Sequence, residues 1–290
     1  AHRRIRAFGR AAKDIRMTLR DDISRLLDDD GLQDAIGLAR EHVKTKPTDK
    51  DGRHFYIDLL VLAGDYEKAD AQCNLAATFS PQESVGFSLF RHQLRAMAAR
   101  NAWFETGAVP DFPGGPSELD QLAIRANIAA RSGDADAAKA ALAELDEKRG
   151  NVPIGHNGKS AGDIRDLDDR IPHALEVLTN GGRYLWIDYG RIESLTIDPM
   201  SRPRDLAFRG GELTLRDGAV ASVLLPAIYH GAKDDVGLLL GRETRWSEED
   251  QPLATGQGQR CLLIGDDVVP FHEIGSLSAA SDDERQIARG

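Results

Sequence analysis

Along the first half of the chain, apolar residues recur at spacings of three and four. Ile15, Leu19, Ile23, Leu26 and Leu27 lie on one helical face, and the same periodicity predicts helices over His54–Ala63, Ser84–Arg100 and Leu119–Ser132. The segment Asp30–Pro47 can be laid over Gly64–Pro81 with a shift of 34, which pairs Ala35 with Ala69 and Pro47 with Pro81. That shift is the tetratricopeptide period of helix, turn and helix. A third copy begins at Gly133 and places Ala138 where Ala69 stands, without the closing proline. The small residues mark where paired helices approach closely, and the prolines end each unit because they lack a backbone donor. Between the second and third copies, Pro110, Pro113, Pro116 and the Gly114–Gly115 pair predict a loop, with Ser117 as the cap of the next helix.

After residue 150 the pattern changes. The polar, Gly-rich stretch Gly150–Asp163 reads as a linker, and a short helix is expected near Ile171–Asn180, closed by Gly181 and Gly182. Beyond it the period falls to two. Segments beginning at Arg183, Arg191, Glu212, Val236, Gln259 and Val268 read as five to seven strands, with Asp217–Gly218 as a type I′ hairpin turn. The expected fold class is α+β and multidomain: a TPR-like α-α superhelix over 14–150, then a smaller, mainly antiparallel β domain over 151–277. Residues 1–13 and 278–290 are expected to be flexible tails. A superhelix of this kind forms a groove lined by its first helices. That logic selects Arg20, Ser24 and Leu27 in the first unit, and Arg53, His54, Asp58 and Val61 in the second, as candidates for partner contact.

Composition narrows the function classes. The 290 residues carry a net charge of −10, which disfavours binding to phosphate backbones. The first 20 residues are a local exception, with seven basic side chains against Asp14. The longest apolar stretch, Ala219–Tyr229, is too short to cross a bilayer. Cys73 and Cys261, far apart in apolar surroundings, fit a protein of a reducing cytoplasm, and Cys73 reads as a buried inert thiol.

Catalytic signatures are sparse. No phosphate loop is present, and Gly256 and Gly258 supply only part of a dinucleotide fingerprint. The eight histidines form no metal-ligand spacing, so neither a metal nor another cofactor is expected. The densest polar cluster is Asp163–His173, with four Asp, two Arg and one His. Clustered carboxylates beside an imidazole are the makings of a hydrolase. The weightier reading is structural, with Arg165 or Arg170 neutralising acids ahead of a helix. Tyr184, Trp186 and Tyr189 likewise read as core rather than as a ligand cage.

Two stretches carry a family resemblance. The first holds Asp166, Asp168, Arg170, Leu175, Glu176, Asn180, Gly181, Tyr184, Trp186, Arg191 and Ile192. The second holds Arg204–Asp205–Leu206, Leu213–Thr214–Leu215, Asp217–Gly218, Leu225–Pro226 and Tyr229. Together they resemble the ImpE/TagJ (SciE-type) family of bacterial type VI secretion accessory proteins, departing from its pattern at Gly182 and Asp188. The resemblance implies a non-enzymatic cytoplasmic adaptor that binds the N-terminal helix of the small contractile-sheath subunit and can connect it to the AAA+ ATPase that recycles sheath. It assigns no binding residues. Two other readings are a hydrolase centred on Asp166–His173 and a generic peptide-binding scaffold.

Overall fold

The computed structural model describes residues 18–79, 81–232 and 235–280. Seven helices come first: α1 (Leu19–Asp28), α2 (Leu32–Thr45), α3 (Lys50–Leu62), α4 (Tyr66–Phe79), α5 (Ser84–Thr106), α6 (Glu118–Arg131) and α7 (Ala135–Arg149). Local chemistry sets their ends. Thr18 and Ser117 each form a reciprocal capping box, with Asp21 and Asp120 at the third helical position. Asp49 and Asp134 accept backbone amides at the starts of α3 and α7. Gly107 ends α5 in the left-handed region. Ala35, Ala69 and Ala138 are fully buried on α2, α4 and α7, where the 34-residue repeat calls for small residues. Pro47 follows α2, and Pro81 begins a 3₁₀ turn ahead of α5. The first predicted helix begins at Ile15, outside the described residues.

The second half is built of β1 (Ile154–His156), β2 (Lys159–Ala161), β3 (Ile164–Asp166), β4 (Ala174–Thr179), β5 (Tyr184–Asp188), β6 (Ile192–Ile197), β7 (Phe208–Leu215), β8 (Val220–Pro226), β9 (Ile228–Tyr229), a short α8 (Val236–Leu239), β10 (Thr244–Trp246), β11 (Gly256–Gln259), β12 (Cys261–Ile264), β13 (Asp267–Pro270) and β14 (Ser276–Ala279). Eight strands form one sheet in the order β2-β1-β14-β6-β7-β8-β4-β5, flanked by the three-stranded sheets β10-β11-β9 and β13-β12-β3. Every strand ladder is antiparallel. The fold class is therefore α+β, an α-α superhelix followed by a mainly antiparallel β half.

Several local expectations are corrected. The stretch read as a linker is the β1–β2 hairpin, in which Asn157 (φ 48°) and Gly158 (φ 79°) form the two-residue loop with both φ positive, the type I′ geometry. The Asp217–Gly218 turn is instead a three-residue loop: the Gly218 amide donates to Leu215 O and only Gly218 has positive φ, which describes a type I turn with a bulged glycine. The helix expected near Ile171–Asn180 is β4, whose first five residues are all buried. A strand covered on both faces shows no alternation to distinguish it from a helix. The Val236 segment splits into α8, capped by the Asp235 carboxylate, and β10. The Val268 segment ends at Pro270 in a 3₁₀ turn. The expected C-terminal tail begins inside β14, which pairs with β1 and β6; residues 281–290 and 1–13 lie outside the described residues.

One hydrophobic core runs from α1 through α5 into the sheet half, where it includes Tyr184, Trp186 and Phe208. A second fills the sheet half around Leu175, Ile187, Leu195 and Phe271. The helical and sheet halves therefore share a core.

Candidate functional site

Two places gather the residues that the sequence singled out. The first is the joint between α5 and the sheet. Glu176 on β4 is fully buried and receives the Arg100 guanidinium from α5, Nε to Oε1 at 2.7 Å and Nη2 to Oε2 at 3.1 Å. Arg260 closes on the other Glu176 oxygen, and its Nε lies 3.4 Å from Asp166 Oδ2. Tyr184 donates its hydroxyl to Glu176 at 2.6 Å and accepts from Trp186 Nε1 at 2.7 Å. Asp166 also accepts the Asp168 amide and the Tyr229 hydroxyl. Asp168 holds the Arg170 guanidinium and accepts the Gly256 amide. Asn180 accepts from Gln93 of α5 at 2.6 Å, and the Gly181–Gly182 turn passes against the His92 backbone.

Burial pushes the Asp166 carboxyl up to about 6 against the pull of Arg260, and pushes the Tyr184 and Tyr229 hydroxyls well above their usual range. Asp166, Asp168, Tyr184 and Trp186 thus sit in a buried ion and hydrogen-bond joint with Glu176, with Arg170 and Asn180 part-buried at its edge and Gly181 exposed. Tyr189 is also core. The sequence did not point to Arg100 or Arg260, which lie far along the chain from Glu176; buried charges need partners, and that rule alone calls for them. Gly256 and Gly258 belong to the same joint: a Cβ on Gly256 would meet the Tyr229 ring at 2.3 Å, and one on Gly258, at φ 84°, would meet Glu243 O at 2.2 Å.

The hydrolase reading asks for an unpaired Asp of the 163–169 cluster beside His173 in a deep cavity. Each of those acids has a partner: Asp163 with Arg149, Asp166 with Arg260, Asp168 with Arg170 and Asp169 with Arg165. His173 meets Asp120 of α6 at 3.0 Å and Asp188 at 3.6 Å. These three are close enough to share a cation. Asp120 is already engaged at both oxygens, by the Ser117 amide and by His173, and burial raises the Asp188 carboxyl. His173 itself is buried.

The second place is a groove where the helices meet the 3₁₀ turn Pro203–Leu206. A cavity of about 440 Å³ is lined by His54 and Ile57 of α3, Phe87 and Phe90 of α5, and Arg202 and Arg204. A second, of about 430 Å³, is lined among others by Arg20, Ser24, Leu27, Phe55, Met200 and Arg202. Arg202 stands in the wall of both. Of the seven groove candidates, Arg20, Ser24, Leu27 and His54 therefore line this groove. The other three are corrected: Arg53, Asp58 and Val61 are buried within the chain itself. Asp58 takes both ends of the Arg202 guanidinium at 2.7 and 2.8 Å. Arg53 donates to Gln72 and to Pro47 O. The sheet half thus covers Asp58 through Arg202, whereas Arg53 is covered within the helical half. His54 stacks on Phe87 with centroids 5.1 Å apart, and burial followed by Arg202 holds its imidazole below the usual value.

The comparisons with known proteins agree with this architecture. The family model described as ImpE protein matches residues 158–278. Over those residues the chain is similar to the ImpE family. The type VI secretion system accessory component TagJ of Pseudomonas aeruginosa is 29% identical over 238 residues, covering 80% of this chain and 82% of that protein. A crystal structure of a Vibrio parahaemolyticus protein superposes with a TM-score of 0.81 at 26% identity, covering 90% of this chain and 98% of the other. Both likenesses extend well beyond the matched domain into the helical half.

Proposed function

We propose that this chain is an ImpE-type accessory protein of type VI secretion: a cytoplasmic, non-enzymatic adaptor that captures the N-terminal helix of the small contractile-sheath subunit and links it to the sheath-recycling AAA+ ATPase. The observation that carries the reading is the likeness to TagJ over four-fifths of the chain. The groove supports it, because two adjoining cavities with apolar walls and charged rims suit one face of an amphipathic helix. We read residues 14–150 as the capturing domain and 151–277 as the domain that braces it. No helix among the described residues is long and apolar enough to cross a membrane.

The test is capture of a synthetic sheath-subunit helix by the purified chain, with Arg20→Glu and His54→Glu compared with the unmodified protein. Both sites rim the groove, so both variants should lose capture while keeping the wild-type circular dichroism. A folded wild-type chain that captures no peptide removes the adaptor reading. Equal capture by both variants removes the groove.

A further inference from the structure

We propose that the cavity between α3, α5 and the Pro203–Leu206 turn is the seat of a carboxylate, taking an Asp or Glu side chain from an amphipathic helix whose flanking apolar residues rest on Phe87 and Phe90. The inference deepens the helix-capture reading and rests on it. Two guanidiniums line the cavity, and a single buried carboxylate, Asp58, lies between them. Arg202 takes Asp58 in a bidentate pair, which leaves Arg204 Nε 3.9 Å away and without a hydrogen-bond partner although buried. The Arg204 guanidinium lies over Phe90, with Cζ 4.0 Å from the ring centroid. A planar, pre-positioned fork of donors is suited to a carboxylate.

Three further acids stand nearby, among them Asp28 in the wall of the adjoining cavity, 4.0 Å from Arg242. Asp205 accepts the Ser201 and Arg202 amides. Glu83, at the cavity wall, accepts from Lys50 at 3.0 Å through one oxygen, and its other oxygen, 3.7 Å from His54, has no hydrogen-bond partner. Arg20 adds an exposed cation in the adjoining cavity, with no ion pair among the described residues. The walls of the two cavities carry four guanidiniums, Arg20, Arg202, Arg204 and Arg242, against the carboxylates of Glu83 and Asp28, and on a chain of net charge −10 that local excess favours an acidic helix over a basic one. Glu83 is the natural competitor for the incoming group.

The experiment measures fluorescence anisotropy of the full chain with a labelled synthetic peptide of the small sheath subunit's N-terminal helix, and with the same peptide after every Asp and Glu is changed to Asn and Gln. The neutralised peptide should bind about tenfold more weakly to the wild type, since a partly desolvated charge pair is lost. Arg204→Gln should weaken the acidic peptide by a similar factor and the neutralised one by less than about twofold. Glu83→Gln should tighten the acidic peptide about threefold, a gain that misfolding cannot mimic. Equal binding of the two peptides by the wild type, or an unchanged affinity in Glu83→Gln, overturns the carboxylate seat and leaves helix capture standing. No binding of either peptide overturns both.

Discussion

The buried joint makes a quantitative demand on Glu176. Its carboxylate is fully inaccessible and stands between Arg100 and Arg260, with Tyr184 donating to the same oxygen that faces Arg100 Nε. Glu176→Gln preserves the volume and a site for the Tyr184 bond but removes the charge that compensates two buried guanidiniums. Arg260 retains Asp166 at 3.4 Å, whereas Arg100 keeps the Ile228 carbonyl and the Phe104 ring but no carboxylate in direct contact. Removing one partner of a buried pair costs about 3–5 kcal/mol, because the other charge stays desolvated. At about 2–4 °C per kcal/mol for a chain of this size, Tm should fall by roughly 6–20 °C. Urea unfolding followed by tryptophan fluorescence gives the free energy directly, since Trp103 and Trp186 pack edge to face at 4.8 Å between α5 and β5. Arg100→Gln should cost a comparable amount, and the double variant less than the sum by at least about 1 kcal/mol, because the two residues share one interaction. A Glu176→Gln protein melting within 2 °C of wild type, or strictly additive variants, would refute the idea that this pair locks the helices to the sheet.

Further outcomes follow from the same geometry. The Asp166 carboxyl titrates at about 6 in the folded chain, above its unfolded value, so its contribution to stability is fully present below pH 4 and is lost as pH rises through 6; denaturation of Asp166→Asn between pH 4 and 7 should show a flatter profile than wild type, and an unchanged slope would contradict this assignment. Burial drives the Cys73 thiol up to about 12 and also raises Cys261, so mass spectrometry after iodoacetamide at pH 8 should find both unmodified in the native protein and both alkylated in urea; native labelling of Cys73 would speak against its burial on α4. Gly258→Ala introduces a Cβ at positive φ against Glu243 O and should lower stability by about 2 kcal/mol or more, read from its urea midpoint; a neutral substitution would show that β11 and the segment leading into β10 have room to part.

Much of the helical half was legible because one-sided burial writes its period into the sequence. Ala35, Ala69 and Ala138 are spaced by the repeat and are all buried, and Ser117 caps the helix assigned to it. The strand half was legible where one face meets water, as in β6, and misread where that contrast vanishes. β4 lies between β5 and β8 with α5 across it, so its run of buried residues has no period-two signature, and the Asn180–Gly181–Gly182 turn that closes a hairpin was mistaken for a helix cap. The Asn157–Gly158 pair carried a hairpin signal that short, mostly polar flanks obscured. The groove was half legible. Periodicity found the faces of α1 and α3 but had no means of showing that Arg202, more than a hundred residues away, would cover Asp58.

That division bears on where the function resides. The Asp166–Asp168–Arg170 run and Tyr184 with Trp186 lie in the joint, and Asn180 ties its edge to α5, so these motifs build the scaffold. The groove residues Arg20, Ser24 and His54 belong to no motif, yet the joint determines their surroundings. Glu176 fixes α5, α5 supplies Phe87 and Phe90 to the cavity, and Phe208 at the start of β7 enters the shared core just after the Pro203–Leu206 turn that carries Arg204. A weakened joint should therefore reduce helix capture only near its own melting temperature. A change at Arg204 or Glu83 should alter capture well below that temperature, and this difference separates the residues that build the groove from those that read its partner.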